Sequence, residues 1–238
     1  MKFFLKILVL TVWWLSLGAA HAQITLDITK GVEGSGIPIA IAPFGGSAPE
    51  NIAGIVAADL KQTGKFAPQP PQVRADYAVV GQAAPGGSRG YIVQFQLTRA
   101  QGGQLLNLSF DVPANQLRAV AHRISDLIYE KLTNEKGLAG TRIAYVALGR
   151  GVYYLVVSDA DGHNPQVILR SSQPIMSPSW SPDGSKLAYV SFEGRRAQII
   201  VQDVYTGARR SVSAAPGING APSWSPDGRR LVFTLSQD

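Results

Sequence analysis

Few side chains in this sequence have the type and spacing for chemistry. Gly86-Gly87-Ser88-Arg89-Gly90 spells G-x-S-x-G, the pattern that presents a serine nucleophile on a sharp turn from strand to helix. Here residues 91–98 alternate as a strand, so the pattern reads as a hairpin turn. His122 falls within a helical pattern, where a general base would need a partner to orient it. None is indicated, and the residue reads as a partly buried helix side chain. His163 follows a hairpin turn. Asp159, Asp161 and Asn164 resemble the start of a calcium loop, but no Glu completes the twelve-residue pattern. Asp183 and Asp227 each precede a glycine in a repeated segment, which argues for a structural role. The sequence has no Cys, which removes thiol catalysis and cysteine-ligated metals, and its few His are too few for a zinc site. No catalytic residue, metal ligand or cofactor site is assigned. Tyr153, Tyr154 and Tyr189 read as core positions of strands rather than as an exposed binding patch.

The elements that carry these residues are set by a repeat. Ile143-Ala144-Tyr145-Val146 recurs 44 residues later as Leu187-Ala188-Tyr189-Val190, and after another 44 as Leu231-Val232-Phe233-Thr234. The second and third copies follow Pro178-Ser179-Trp180-Ser181-Pro182-Asp183-Gly184 and Pro222-Ser223-Trp224-Ser225-Pro226-Asp227-Gly228. A period of this length, made of short strands and Gly-rich turns, is the signature of a β-propeller with one repeat per blade. In Ser-Pro-Asp-Gly the proline presets φ, the aspartate bonds back to the local backbone, and glycine takes the left-handed position. Asp161-Gly162 and Thr206-Gly207 read as hairpin turns, and Trp180 and Trp224 as packing between blades.

The region before the repeats is different. Lys2 and Lys6, an apolar run from Ile7 to Leu17, and Ala20-His21-Ala22 form a secretory leader with cleavage expected between Ala22 and Gln23. Its apolar core is shorter than the roughly 20 residues of a membrane span. The formal charge of +6 would fall to +4 without Lys2 and Lys6, and the remaining basic residues are scattered, so nucleic acid is not an expected partner. Ile24, Leu26 and Ile28 alternate with Thr25, Asp27 and Thr29 as a strand, and Gly31, Gly34 and Gly36 form a hinge. A buried strand is expected over 37–44. A helix is expected from Ser47, with Ser47 and Glu50 at capping-box spacing, Pro49 in the first turn and Gly64 past the end. Strands at 77–80, 91–98 and 105–112 follow. A second helix over about 115–133 has Leu117, Val120, Ala121, Ile124, Leu127 and Ile128 on one face. The expected fold is an α+β N-terminal domain, a mixed sheet with two helices on one side, followed by an incomplete propeller of about two blades and a stub. The boundaries are 1–22 for the leader, 23–36 for the arm and hinge, 37–140 for the α/β domain and 141–238 for the propeller.

These residues resemble the TolB family of the Tol–Pal envelope system. The resemblance rests on residues 38–44, Pro-Ile-Ala-Ile-Ala-Pro-Phe, on 52–60 with Thr63-Gly64-Lys65-Phe66, and on 76–81, Asp-Tyr-Ala-Val-Val-Gly. It continues through Ala121-His122-Arg123-Ile124-Ser125-Asp126, Tyr129-Glu130-Lys131-Leu132-Thr133 and Thr141-Arg142-Ile143-Ala144-Tyr145-Val146. It implies a periplasmic protein–protein adaptor, not an enzyme and not itself membrane-spanning. Such an adaptor links inner-membrane TolA to the outer-membrane lipoprotein Pal, keeping the outer membrane sound and drawing it inward at cell division. It also implies that an N-terminal arm contacts TolA and can tuck between the two domains. On this sequence the arm is Gln23, Ile24, Thr25, Leu26, Asp27, Ile28, Thr29, Lys30, Gly31, Val32 and Glu33. The same segment taken alone is an ordinary edge strand. Six blades at this period need roughly 260 residues, so the chain reads as a fragment or a shortened protein, with the Pal site mostly beyond Asp238. Made alone, its C-terminal part is expected to be looser than residues 23–140. The alternative reading is the propeller of a secreted serine hydrolase whose catalytic domain lies beyond the sequence.

Overall fold

The computed structural model describes residues 36–236. The leader, the cleavage site at Ala22–Gln23 and the arm at 23–33 lie outside the described residues.

Strand β1 (Ile37–Ile41) is followed by helix α1 (Ile52–Gln62), strand β2 (Phe66–Gln69), and the meander β3 (Tyr77–Gly86), β4 (Gly90–Arg99) and β5 (Gln104–Val112). A 3₁₀ turn at Ala114–Gln116 leads into helix α2 (Leu117–Thr133). The five strands form one mixed sheet in the order β2-β1-β3-β4-β5, parallel around β1 and antiparallel from β3 onward. Parallel pairing of β1 with β2 needs a crossover, and α1, which lies between them in the chain, supplies it. Alternation along β4 sends Val93, Phe95 and Leu97 to the helix side, where they are almost fully buried. Helix α2 meets them with Leu117, Val120, Ala121, Ile124 and Ile128, the face expected from 3.6-residue spacing.

Three local features differ from the sequence reading. Helix α1 begins at Ile52, not at Ser47, because Asn51 is the cap: its Oδ1 accepts the Gly54 amide at 3.0 Å. Asn is as good an N-cap as Ser, and it stands directly ahead of the buried stripe Ile52, Val56 and Leu60. Strand β1 ends at Ile41, short of residue 44. Phe44 instead lies over Gly81, where an added Cβ would meet its ring at 2.3 Å. Strand β2 has no counterpart in the sequence pattern, because Pro68 weakens its strand signal; as the sheet's edge, β2 tolerates a proline.

The repeats form three further antiparallel sheets. The first holds β6 (Arg142–Gly149), β7 (Val152–Asp159) and β8 (Gln166–Ser171). The second holds β9 (Ile175–Trp180), β10 (Lys186–Ser191), β11 (Gln198–Asp203) and β12 (Arg209–Ser213), and the third β13 (Asn219–Trp224) and β14 (Leu231–Leu235). They are open sheets of a partial propeller. Tyr189 is fully buried, and its hydroxyl donates to Gln202 Oε1 at 2.8 Å. The Gln202 amide then donates to Ile168 O at 2.9 Å, tying the second sheet to the first. Trp224 Nε1 donates to Ser179 O at 3.2 Å, tying the third to the second. Trp180 packs against the core shared by the first two sheets, with the Arg142 guanidinium 4.8 Å from its ring centroid.

Candidate functional site

Helix α1 sends one carboxylate inward with its apolar stripe. Asp59 is 7% exposed, and a buried carboxylate needs partners. Helix α2 supplies two of them three residues apart on one face: His122 Nδ1 lies 2.8 Å from Asp59 Oδ2, and Ser125 Oγ donates to the same oxygen at 2.7 Å. The other ring nitrogen, His122 Nε2, is buried without a hydrogen-bond partner and faces Asp161 Oδ2 at 3.8 Å. Asp161 belongs to the β7–β8 turn, where Gly162 adopts φ +81°. Arg118, one helical turn before His122, donates to Asp161 through Nη2, and its Nε lies 3.9 Å from Asp159 Oδ2. The cluster therefore joins both helices to the first propeller sheet.

The electrostatics follow from this geometry. The hydrogen bond to Asp59 raises the His122 pKa above its ordinary value against the opposing effect of burial, and Asp161 raises it further. Burial pushes Asp161 up, but the His163 amide and the Arg118 guanidinium outweigh it and hold the carboxyl below its usual value. Asp59, His122 and Asp161 bring ligand-type atoms within 4.8 Å of one another. However, Nδ1 is committed to Asp59 and Asp161 is already neutralised by Arg118, so the arrangement is an ion-pair network. Nor is it a nucleophile relay, because the Ser125 hydroxyl bonds Asp59 and not the free ring nitrogen.

Beside the cluster lies a cleft of about 350 Å³, lined by Asp59, Ser125, Asp126, Tyr129, Leu138 and Asp161 among others. Its rim is the connection from α2 to β6. Asn134 closes α2 in the left-handed conformation at φ 60°. Asp126 then accepts the Ala139 and Gly140 amides at 2.8 and 3.0 Å. Gly137 passes so close that a Cβ would stand 2.2 Å from Asp126 Oδ1.

The other sequence candidates take structural places. Ser88 lies in the β3–β4 turn, where its hydroxyl donates to Asp111 Oδ2 at 2.7 Å and strand β4 follows. Asp159 accepts the Asn164 side chain at 2.8 Å, and Asp161 accepts the His163 amide at 2.9 Å, so this segment is a turn. Asp183 accepts from the Ser181 hydroxyl at 2.6 Å and the Ser185 amide at 3.0 Å; Asp227 repeats the bond with Ser225 at 2.5 Å. Of the hinge glycines only Gly36 is described, and the backbone of Phe66 lies 2.7 Å from where its Cβ would be. The expectation that His122 has no partner is corrected. Its partners lie 63 and 39 positions away, on elements whose approach no local pattern announces.

The comparisons agree with this architecture. Residues 24–74 match the TolB amino-terminal domain, and residues 129–238 match the TolB beta propeller domain. The chain belongs to the TolB family. It is 44% identical to the Tol-Pal system protein TolB of Nitrosococcus oceani over 90% of this chain and 56% of that protein. Against the Legionella pneumophila (strain Corby) protein of the same name it is 46% identical over 82% of this chain and 51% of the relative. The crystal structure of TolB from Acinetobacter baumannii superimposes with a TM-score of 0.77 at 36% identity, covering 85% of this chain and 56% of that one. The chain spans about half the length of the curated relatives it matches. The hydrolase-propeller alternative is not favoured, since both domains match TolB. Among the described residues no helix is long and apolar enough to cross a membrane.

Proposed function

We propose that the chain acts as an exported, periplasmic adaptor of the Tol–Pal system, without turnover chemistry. It would link inner-membrane TolA to outer-membrane Pal, so that the outer membrane stays sound and follows the septum at division. The observation that carries this reading is the joining of a TolB amino-terminal domain to TolB propeller repeats in one chain. The basic, apolar and small-residue regions of residues 1–22 support export. In this reading Gln23–Glu33 is the arm that meets TolA, docked against the body in one state and released in the other. Pal, bound to the propeller, biases the two states through its differential affinity for them.

Capture by the isolated periplasmic part of TolA tests the reading directly. Removal of residues 23–33 is expected to abolish capture while circular dichroism and thermal unfolding stay unchanged. Undiminished capture by the shortened chain would contradict the assignment of the arm, and no capture by the parent chain would contradict the adaptor reading itself.

A further inference from the structure

We propose that His122 is a proton-operated clasp between the helix pair and the first propeller sheet, bridging Asp59 and Asp161 when doubly protonated and releasing the β7–β8 turn when it loses a proton. The geometry carries this. Nδ1 lies 2.8 Å from a carboxylate oxygen, and a carboxylate can only accept, so that nitrogen keeps its hydrogen in either state. The proton that leaves is the one on Nε2, which is buried, lacks any hydrogen-bond partner and faces Asp161 Oδ2 at 3.8 Å. With the proton present, an N–H points at an anion. Without it, a buried lone pair faces that anion, and the contact turns from attractive to repulsive.

The charged groups around the ring favour the protonated form. Asp59 faces it from α1, Asp161 from the β7–β8 turn with Asp159 behind it, and Arg118 from its own helix. Three carboxylates thus stand against one guanidinium, and the imidazolium brings the cluster closer to neutrality. The bond to Asp59 raises the His122 pKa, burial opposes it, Asp161 adds to the rise and Arg118 subtracts from it. A raised folded-state pKa fixes the direction: the clasp is fully made below the ordinary His value of 6.5 and is lost as pH rises through the folded value. Arg118 continues to hold Asp161 at high pH, so loss of the clasp loosens the turn without freeing it. Beside the clasp, the cleft shares Asp59, Ser125 and Asp161 with this cluster, so its wall loosens with the turn.

The test pairs two readouts on the full chain. The His122 ring signals are followed by NMR from about pH 5 to about pH 8 and beyond until they stop moving. Amide exchange of residues 160–163, corrected for the intrinsic rate, is measured over the same range. Opening of the turn is expected to increase about two- to fivefold, the range for one lost ion pair, with the same midpoint as the ring. Asp161→Asn is expected to abolish this step while the ring still titrates. Protection that stays flat while the ring titrates, a step that survives in Asp161→Asn, or a ring that does not titrate would each overturn the proposal. The parent chain alone gives the first and third outcomes, so the test stands even if the variant folds poorly.

Discussion

Helices α1 and α2 close one face of the five-stranded sheet over a single cluster of eighteen buried apolar side chains, from Ile39 to Ile128. The propeller sheets divide theirs between a cluster of six around Tyr189 and one of three around Ile199. Exposure follows the same line. Large apolar residues at least a third exposed are sparse in the helix-covered region, with Val73, Val80 and Leu108, and common in the propeller sheets, with Leu148, Val167, Met176, Val212 and Val232 among them. The difference lies in how each architecture completes itself. A sheet with its own crossover helix supplies both sides of its core, whereas a blade buries its faces only against neighbouring blades. Between the two regions the contact is ionic, through Asp59, His122, Arg118 and Asp161.

Substitutions in the two regions and at their junction test this contrast. Asp59→Ala removes the buried partner of His122 and is expected to cost about 3–5 kcal/mol in denaturant unfolding. A cost near that of a surface substitution would mean the junction contributes little. Ile124→Ala, at a fully buried site of the single core, is expected to cost about 2–5 kcal/mol. Val232→Ala, on a side chain 70% exposed in the third sheet, is expected to stay within about 0.5 kcal/mol. Similar losses at the two sites would break the comparison.

A smaller effect is expected at the start of α1. Asn51→Ala should cost about 0.5–2 kcal/mol by loss of the cap. Ser47→Ala, at the cap suggested by the sequence, should cost less than about 0.5 kcal/mol. Smallest is a local acid effect, seen at the repeat turn of the second sheet. The Ser181 hydroxyl and the Ser185 amide hold Asp183 at about 2, down from 3.8. With the folded pKa lowered, the turn's contribution is present above 3.8 and lost as pH falls through about 2. Exchange of the Ser185 amide should accelerate in that window, after correction for intrinsic rate, and Asp183→Asn should remove the dependence.

Much of this fold is legible in the sequence because its signals are periodic. The 44-residue spacing of the Leu-Ala-Tyr-Val segments places the blades, and the 3.6-residue spacing from Leu117 to Ile128 places α2 against the sheet. Where two local signals compete, the sequence misleads: Ser47-x-x-Glu50 looks like a capping box, yet Asn51 stands next to the buried stripe and caps the helix. The candidate site has no such periodic signal. Asp59 and His122 both lie within the quoted family segments, but their pairing depends on α1 packing against α2, and Asp161 reaches them only through the β7–β8 turn. No spacing rule links a helix carboxylate to a histidine 63 residues later.

The claim that the helix-covered region completes its own core while the propeller sheets do not is tested most directly by limited proteolysis with mass-spectrometric mapping of the products. The expected result is a surviving fragment that spans residues 36–133, with early cuts within 142–236. Equal resistance of the two regions under the same protease would contradict it.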